Sequence, residues 1–474
     1  MRRARLAAVF LAPSCLCPPL LAQDAAKPTV ERPAYTFLRF GEDWSVLRDG
    51  SPSGGRGFWD PIKYVPLSES GDVWMSFGGR LRARWEVWRH FNFGTAPTDS
   101  DDLLLYRGTF HANLRVHDWL RAFVQVKGAY ATGRRLPGGN RAKDRDPLAL
   151  EQAFVDLSSG LGNRGTGTLR VGRQQYQLGK QRLVSSLVWA NTLRRWDGAT
   201  AIYQVGAWTA TGFWSWFVPT RINRFNETNT DLPLWGAYVS GKPGTGVPGL
   251  DLYYLGYGNR KEPTWNGTTG DETRQTFGAR VFGEAGSAWD YDAEFAYQIG
   301  GVGSGSVNAF MVGSEVGYTL RSAGWSARFL AGFDAGSGDD GAGGDVQTFN
   351  QLYPLGHAYL GFADLVGRQN ILAPSVGLVT RPRAGTTLAA RGFWFWRHSD
   401  QDAVYNVGGG VLRAGDLGTS KAIASEIDVW LTYRFGRHTT ALMGYSHVFP
   451  GDFIRESGSS EDIDFFYVQL EYTF

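Results

Sequence analysis

Arginines stand at three successive alternate positions, Arg80, Arg82 and Arg84, with Glu86 continuing the series. A guanidinium is a planar fork that grips carboxylates and phosphates through paired hydrogen bonds. Spacing of two puts all these groups on one face of a β-strand. Three further segments repeat the pattern: Arg107, His111 and Arg115; then Arg121, Gln125 and Lys127; then Arg170. Together they predict a wall of cations that could hold an anion weakly at many points. A second wall is expected to be mixed, with Arg328, Arg391 and Arg434 among Asp292, Glu294, Glu315, Glu426 and Asp428. The field across the enclosed space would then be transverse, positive on one side and acidic on the other. Residues 173–196 carry Arg173, Lys180, Arg182, Arg194 and Arg195 among Leu183, Val184, Leu187, Val188 and Trp189. Folded inward, this segment would bury its apolar part and present guanidiniums to a passing solute. A desolvated cation is costly, so partners such as Asp197 or water are expected. An Arg195–Asp197 pair that merely holds the segment is the competing reading.

The elements that must position these groups are strands. From Phe77 to Val87, Phe77, Leu81, Ala83, Trp85 and Val87 alternate with the charged set. The final residues, Asp464 to Phe474, alternate in the same way and end on phenylalanine. One face in oil and one in water is the signature of a transmembrane β-strand. Eighteen such segments are predicted: 75–90, 103–116, 119–131, 148–158, 166–173, 198–205, 207–217, 234–241, 249–258, 273–283, 289–299, 307–320, 325–334, 371–380, 385–397, 424–435, 438–449 and 464–474. Connections alternate between short turns such as Gly436-Arg437 and long loops such as 335–370, 398–423 and 450–463. The fold expected is all-β, an antiparallel transmembrane barrel of about 18 strands with short periplasmic turns and long extracellular loops. Trp214, Trp216, Trp394 and Trp396 read as its interfacial girdle.

Outside residues 73–474, two segments are distinct. Residues 1–22 read as a secretory signal peptide: Arg2, Arg3 and Arg5 lead an apolar run from Leu6 to Leu21, with cleavage after Ala22. Cys15 and Cys17 leave with it, which excludes disulfides and cysteine metal sites from the mature chain. Its three arginines account for the formal charge of +3. Residues 23–72 lack strand periodicity but hold Tyr35, Phe37, Phe40, Trp44, Phe58, Trp59 and Ile62, so they are expected in the periplasm or tucked into the lumen. The basic residues are 40 Arg and 8 Lys, a bias toward the bidentate cation.

Other chemistries have thinner support. Asp334 to Asp345 contains four acids among glycines and could bind calcium, but lacks EF-hand spacing. His357 with Asp364 is the one nearby histidine–carboxylate candidate, and no nucleophile accompanies it. No catalytic residue, metal site or cofactor is therefore expected, and the chain does not read as an enzyme. Phe393 and Phe395 on the inner face could stack on sugar rings or simply pack against loops.

Several blocks in order resemble the alginate export family of bacterial outer-membrane porins: GEDWSVLRDG (41–50), DPIKYVPL (60–67), MSFGGRLRARWEVW (75–88), LRVGRQQYQLGKQRLVSSLVWANTLRRWDG (169–198), TFNQLYPLGHAYLGFADLVGRQNI (348–371) and SEIDVWLTYRFGRHTTALMGYSHVFPGDFI (425–454). The resemblance implies a monomeric eighteen-stranded barrel in the Gram-negative outer membrane with a constricted, arginine-rich pore; the charged walls add the expectation of an anion-selective channel. It implies passive export of an anionic polyuronate; a general diffusion porin for small solutes is the alternative. Expected partners are membrane lipid and lipopolysaccharide, the barrel-assembly machinery, and anionic oligo- or polysaccharides or small anions, with no nucleic acid.

Overall fold

A computed structural model describes residues 29–474 apart from 54 and 323–324. The expected signal peptide lies outside the described residues. Eighteen antiparallel strands close a barrel. In chain order they are β1 Val73–Arg89, β2 Asp101–Val116, β3 Leu120–Ala131, β4 Asp146–Gly160, β5 Thr166–Gln174 and β6 Trp196–Val205. Then come β7 Trp208–Phe217, β8 Pro233–Gly241, β9 Gly249–Asn259, β10 Glu272–Ala285, β11 Trp289–Val302 and β12 Gly305–Ser322. The last six are β13 Trp325–Gly336, β14 Ile371–Arg381, β15 Thr386–Trp396, β16 Ala422–Phe435, β17 Thr439–Pro450 and β18 Ile463–Thr473. β18 pairs with β1 in the register Leu470↔Ala83, which leaves no open edge.

Side-chain alternation makes the two faces. Leu81, Trp85, Val171, Ile427 and Leu470 are exposed on the outer wall, whereas Arg82, Arg84, Glu86, Arg107 and Lys127 are buried inside. All eighteen predicted strands are present with ends shifted by a few residues. One exception interrupts the loop alternation: β11 and β12 are joined by only residues 303–304 at the end where the other connections are long.

The apolar core sits inside the barrel. Toward the long-loop end the inner wall turns apolar, with Leu103, Leu105, Phe393, Phe395, Ile463 and Phe465. Onto it fold residues from loops 337–370 and 451–462, among them Leu360, Val366, Phe453 and Ile454. Phe393 and Phe395 therefore pack against loops and are almost fully buried. At the turn end, residues 36–42 reach into the lumen. Phe40 packs edge-on against the inward rings of Phe123 and Phe154, at 5.8 and 5.3 Å between centroids. Arg39 pairs with Glu42 at 2.6 Å and donates to the carbonyls of Gly79 and Phe474.

Candidate functional site

Arg82, Arg84 and Arg107 turn inward from β1 and β2, where loop 175–195 covers them. Arg82 donates to the carbonyls of Val188, Trp189 and Ala190 at 2.9–3.2 Å. Arg107 donates to Val188 and Ala190 at 3.1 and 2.8 Å. Arg84 reaches Trp189 O at 2.8 Å, pairs with Glu86 at 2.7 Å and lies 3.9 Å over the Trp189 ring. These cations, expected to line an open passage, instead clamp the backbone of an infolded loop. A loop carries spare carbonyls that need donors once water is excluded, and guanidiniums supply them.

Lower on the same wall, Arg121 and Arg170 share Asp156 at 2.5 and 2.7 Å, with Arg170 over Phe40 and Phe154. Arg80 pairs with Glu471 at 3.3 Å and donates to Thr36 O. Arg115 is half-buried on the inner face. Lys127 and Arg195 form a fully buried cluster with Asp146 and Glu151, four contacts of 3.0–3.3 Å. Glu151 enters that cluster at a β-bulge, where β3 and β4 slip register and an extra residue turns inward.

Two expectations are corrected here. Asp197 pairs with Arg173 at 2.7 Å, not with Arg195. That pair shares the outward face of Val171, so Arg173 is not in the lumen; Trp196 takes the inward position instead, fully buried.

Arg182 carries the loop across to the far wall, where it meets Asp292 and Glu294, both at 2.8 Å. Burial lowers its pKa, but Asp334, Glu294 and Asp292 outweigh that and raise it, so Arg182 stays cationic. Asp292 also holds Arg280, and Glu294 accepts from Tyr253 Oη at 2.8 Å. Loop 337–370 joins from the other side. Ser185 N donates to Tyr353 O and Tyr353 N to Leu183 O, at 2.9 and 2.8 Å. Arg368 ties this loop to Asp334 at 2.7 Å. On β16, Asp428 accepts from Phe362 N and Glu426 from Ala363 N, at 3.1 and 2.8 Å. A chain of rings connects the two walls: Trp189 stacks on His357 at 3.7 Å, His357 on Phe362 at 4.2 Å, and Phe362 meets Trp430 at a tilt, 4.7 Å between centroids. His357 stands 3.6 Å from Asp364 inside this stack. Asp334, Asp339 and Asp345, considered for calcium, are engaged by Arg368, by the amides of Gln347 and Thr348, and by Ser306 N.

Beside loop 175–195 lies a cavity, the vestibule, of about 490 Å³. Arg84, Arg141, Lys143 and Arg194 line it together with Glu86, Asp144, Asp364 and Trp189. Asp144 is held by Arg141 at 2.7 Å. Arg194 donates to Pro354 O at 2.7 Å. The Lys143 ammonium has no hydrogen-bond or ion-pair partner among the described residues. It is open to vestibule water yet hemmed in by protein, and this crowding, then Arg141, lowers its pKa to about 8. Burial lowers Arg194 to about 10. Both are mainly cationic at neutral pH. Arg141 and Lys143 went unnoticed in the sequence, where the dense run RAKDR (141–145) was the available signal.

On the mixed wall, Arg328 meets Asp290 and Glu315 at 2.5 and 2.9 Å, and Arg391 meets Glu315 at 3.0 Å. Gly317 and Gly332 leave the room these guanidiniums occupy. Arg434 is exposed on the inner face near the turns.

A family model described as alginate export matches residues 73–468. Among solved structures, OccAB3 of Acinetobacter baumannii is similar at 11% identity and TM-score 0.57, covering 84% of this chain and 99% of its own. OccD3 (OpdP) of Pseudomonas aeruginosa covers 94% and 99% at 10% identity and TM-score 0.54. OpdK of Pseudomonas aeruginosa, solved with vanillate, covers 84% and 98% at 10% identity and TM-score 0.53. At such identities these structures speak for the fold alone. No protein of curated function matches the sequence.

Proposed function

The chain belongs to the alginate export family and is an outer-membrane channel, and from that premise we propose that its cargo is anionic, with anionic saccharides and polyuronates such as alginate foremost. The vestibule carries this reading: Arg84, Arg141, Lys143 and Arg194 converge on one cavity, and Lys143 is left without a partner among the described residues. A carboxylate entering it exchanges water for ammonium and guanidinium donors. Because the vestibule stays wet, each contact is modest, which lets the anion leave again. Flow through such a channel follows the gradient and has no built-in direction. A general diffusion porin is the second reading, favoured by the carboxylates and carbonyls that neutralise or cap most lumen arginines.

Reversal potentials of the refolded protein in a planar bilayer under a salt gradient test the choice. Anion selectivity with concentration-dependent block by polymannuronate, both reduced in Lys143→Gln/Arg194→Gln, is the expected result. Weak selectivity with indifference to the polymer would leave the general porin.

A further inference from the structure

We propose a second anion site, separate from the vestibule, at the turn-end mouth of the lumen: Arg321, Arg381 and Arg434 form a docking rim for the carboxylates of a polyanionic chain. This rests on the anion-channel reading and adds where such a chain is first held. Elsewhere the barrel matches its inward arginines. Arg80, Arg121, Arg170, Arg274, Arg280, Arg328 and Arg391 each face a carboxylate, and Arg82, Arg84 and Arg107 are capped by carbonyls. Arg115, the remaining one, is half-buried. Arg321, Arg381 and Arg434 are exposed and have no hydrogen bond or ion pair to their side chains among the described residues.

Their placement is specific. Arg321 shares the inward face of Glu315, Arg381 that of Ser375, and Arg434 that of Glu426 and Asp428. Nearby acids are already engaged: Glu315 by Arg328 and Arg391, Asp290 by Arg328, and Glu471 by Arg80. Glu284, on the inner face of β10, marks where the basic rim ends. Arg321 is level with Ser326, and Ser326 with Arg381. Two strand spacings of about 4.8 Å put these two guanidinium-bearing positions roughly 10 Å apart, and β16 brings Arg434 two strands further round. Three unmatched forks spaced along an arc suit successive charges on one chain better than a single small anion. A lipid headgroup fits less well, because the outward neighbours here are Leu320, Trp325 and Phe435.

The test is sided block in a bilayer holding channels of one orientation. The barrel has no cysteine, so an impermeant thiol reagent on Leu417→Cys, in a long loop, reports that orientation. Polygalacturonate is added to either side of wild type and of Arg321→Gln/Arg381→Gln/Arg434→Gln. Expected is a tenfold or larger rise in half-blocking concentration from the turn side only, with loop-side block unchanged. Restored block in the triple Arg→Lys variant would exclude misfolding. A triple-Gln variant that blocks like wild type from the turn side overturns the rim while the anion-channel reading stands. Wild type without anion selectivity, unblocked from either side, overturns both. An effect present only in bilayers containing phosphatidylglycerol would assign the arginines to headgroups and also overturn the rim.

Discussion

Lys143 is the residue on which the vestibule's charge turns. Its pKa near 8 makes it cationic at pH 7 and largely neutral at pH 9, whereas Arg194, near 10, stays charged. Anion selectivity should therefore decline as pH rises from 7 to 9, and the anion-to-cation permeability ratio of Lys143→Gln should be lower at pH 7 by about twofold, flat across that range. Reversal potentials taken at each pH measure both. Gly361 illustrates a different dependence. Its φ of +85° suits glycine, and a Cβ there would meet the Glu426 carboxylate at 2.3 Å. Gly361→Ala should cost on the order of 1–3 kcal/mol and detach loop 337–370 from β16, read as faster amide exchange at Phe362 and Ala363.

Between elements, buried ion clusters fix how the loops sit in the barrel. Glu151→Ala would strand Lys127 and Arg195, whose only other carboxylate partner in the cluster is Asp146. Breaking a buried pair costs about 3–5 kcal/mol, while Arg221→Ala, in an exposed pair with Glu227, should change stability by less than about 1 kcal/mol. Urea midpoints of the two variants provide the comparison. Loops 337–370 and 397–421 meet at Asp339 and Asp402, both buried. Burial, then Asp402, raises the Asp339 pKa to about 6 from an ordinary value near 3.8. The folded form thus binds the proton more tightly than the unfolded one, so this contact weakens as pH rises from about 4 to 6 and carries its full penalty above that. Amide protection in residues 337–350 should increase between pH 7 and 5, and Asp339→Asn should abolish the change. The strands were legible from sequence because the membrane imposes a period of two, as in Phe77–Val87. The partners of the arginines were not. Arg182 meets Asp292 across more than a hundred residues, and Arg195 meets Glu151 through a bulge; neither alternation nor local spacing encodes such contacts. The infolding of loop 175–195 was partly visible in its apolar run, but its carbonyls' need for Arg82 and Arg107 was not.

For the whole molecule, charge and aromatic mass are distributed by depth. Girdle rings such as Trp214 and Trp394 are exposed outside, the loop-filled half is apolar inside, and the turn-end half is ionic. Removing residues 29–66 should raise single-channel conductance, since Phe37 and Phe40 lie against lumen arginines. The same segment ties together the two ends of the barrel. Trp59 stacks on Phe474 at 4.3 Å and donates to Tyr472 Oη at 2.7 Å, while Arg39 bridges Gly79 on the first strand and the terminal carbonyl of Phe474. That seat does not exist until β18 has zipped to β1. The earliest-made stretch of the described chain is therefore the last to settle. A protease pulsed during refolding should cut between Tyr35 and Trp59 until heat-modifiable gel mobility appears and spare that stretch afterwards, making its protection a clock for barrel closure.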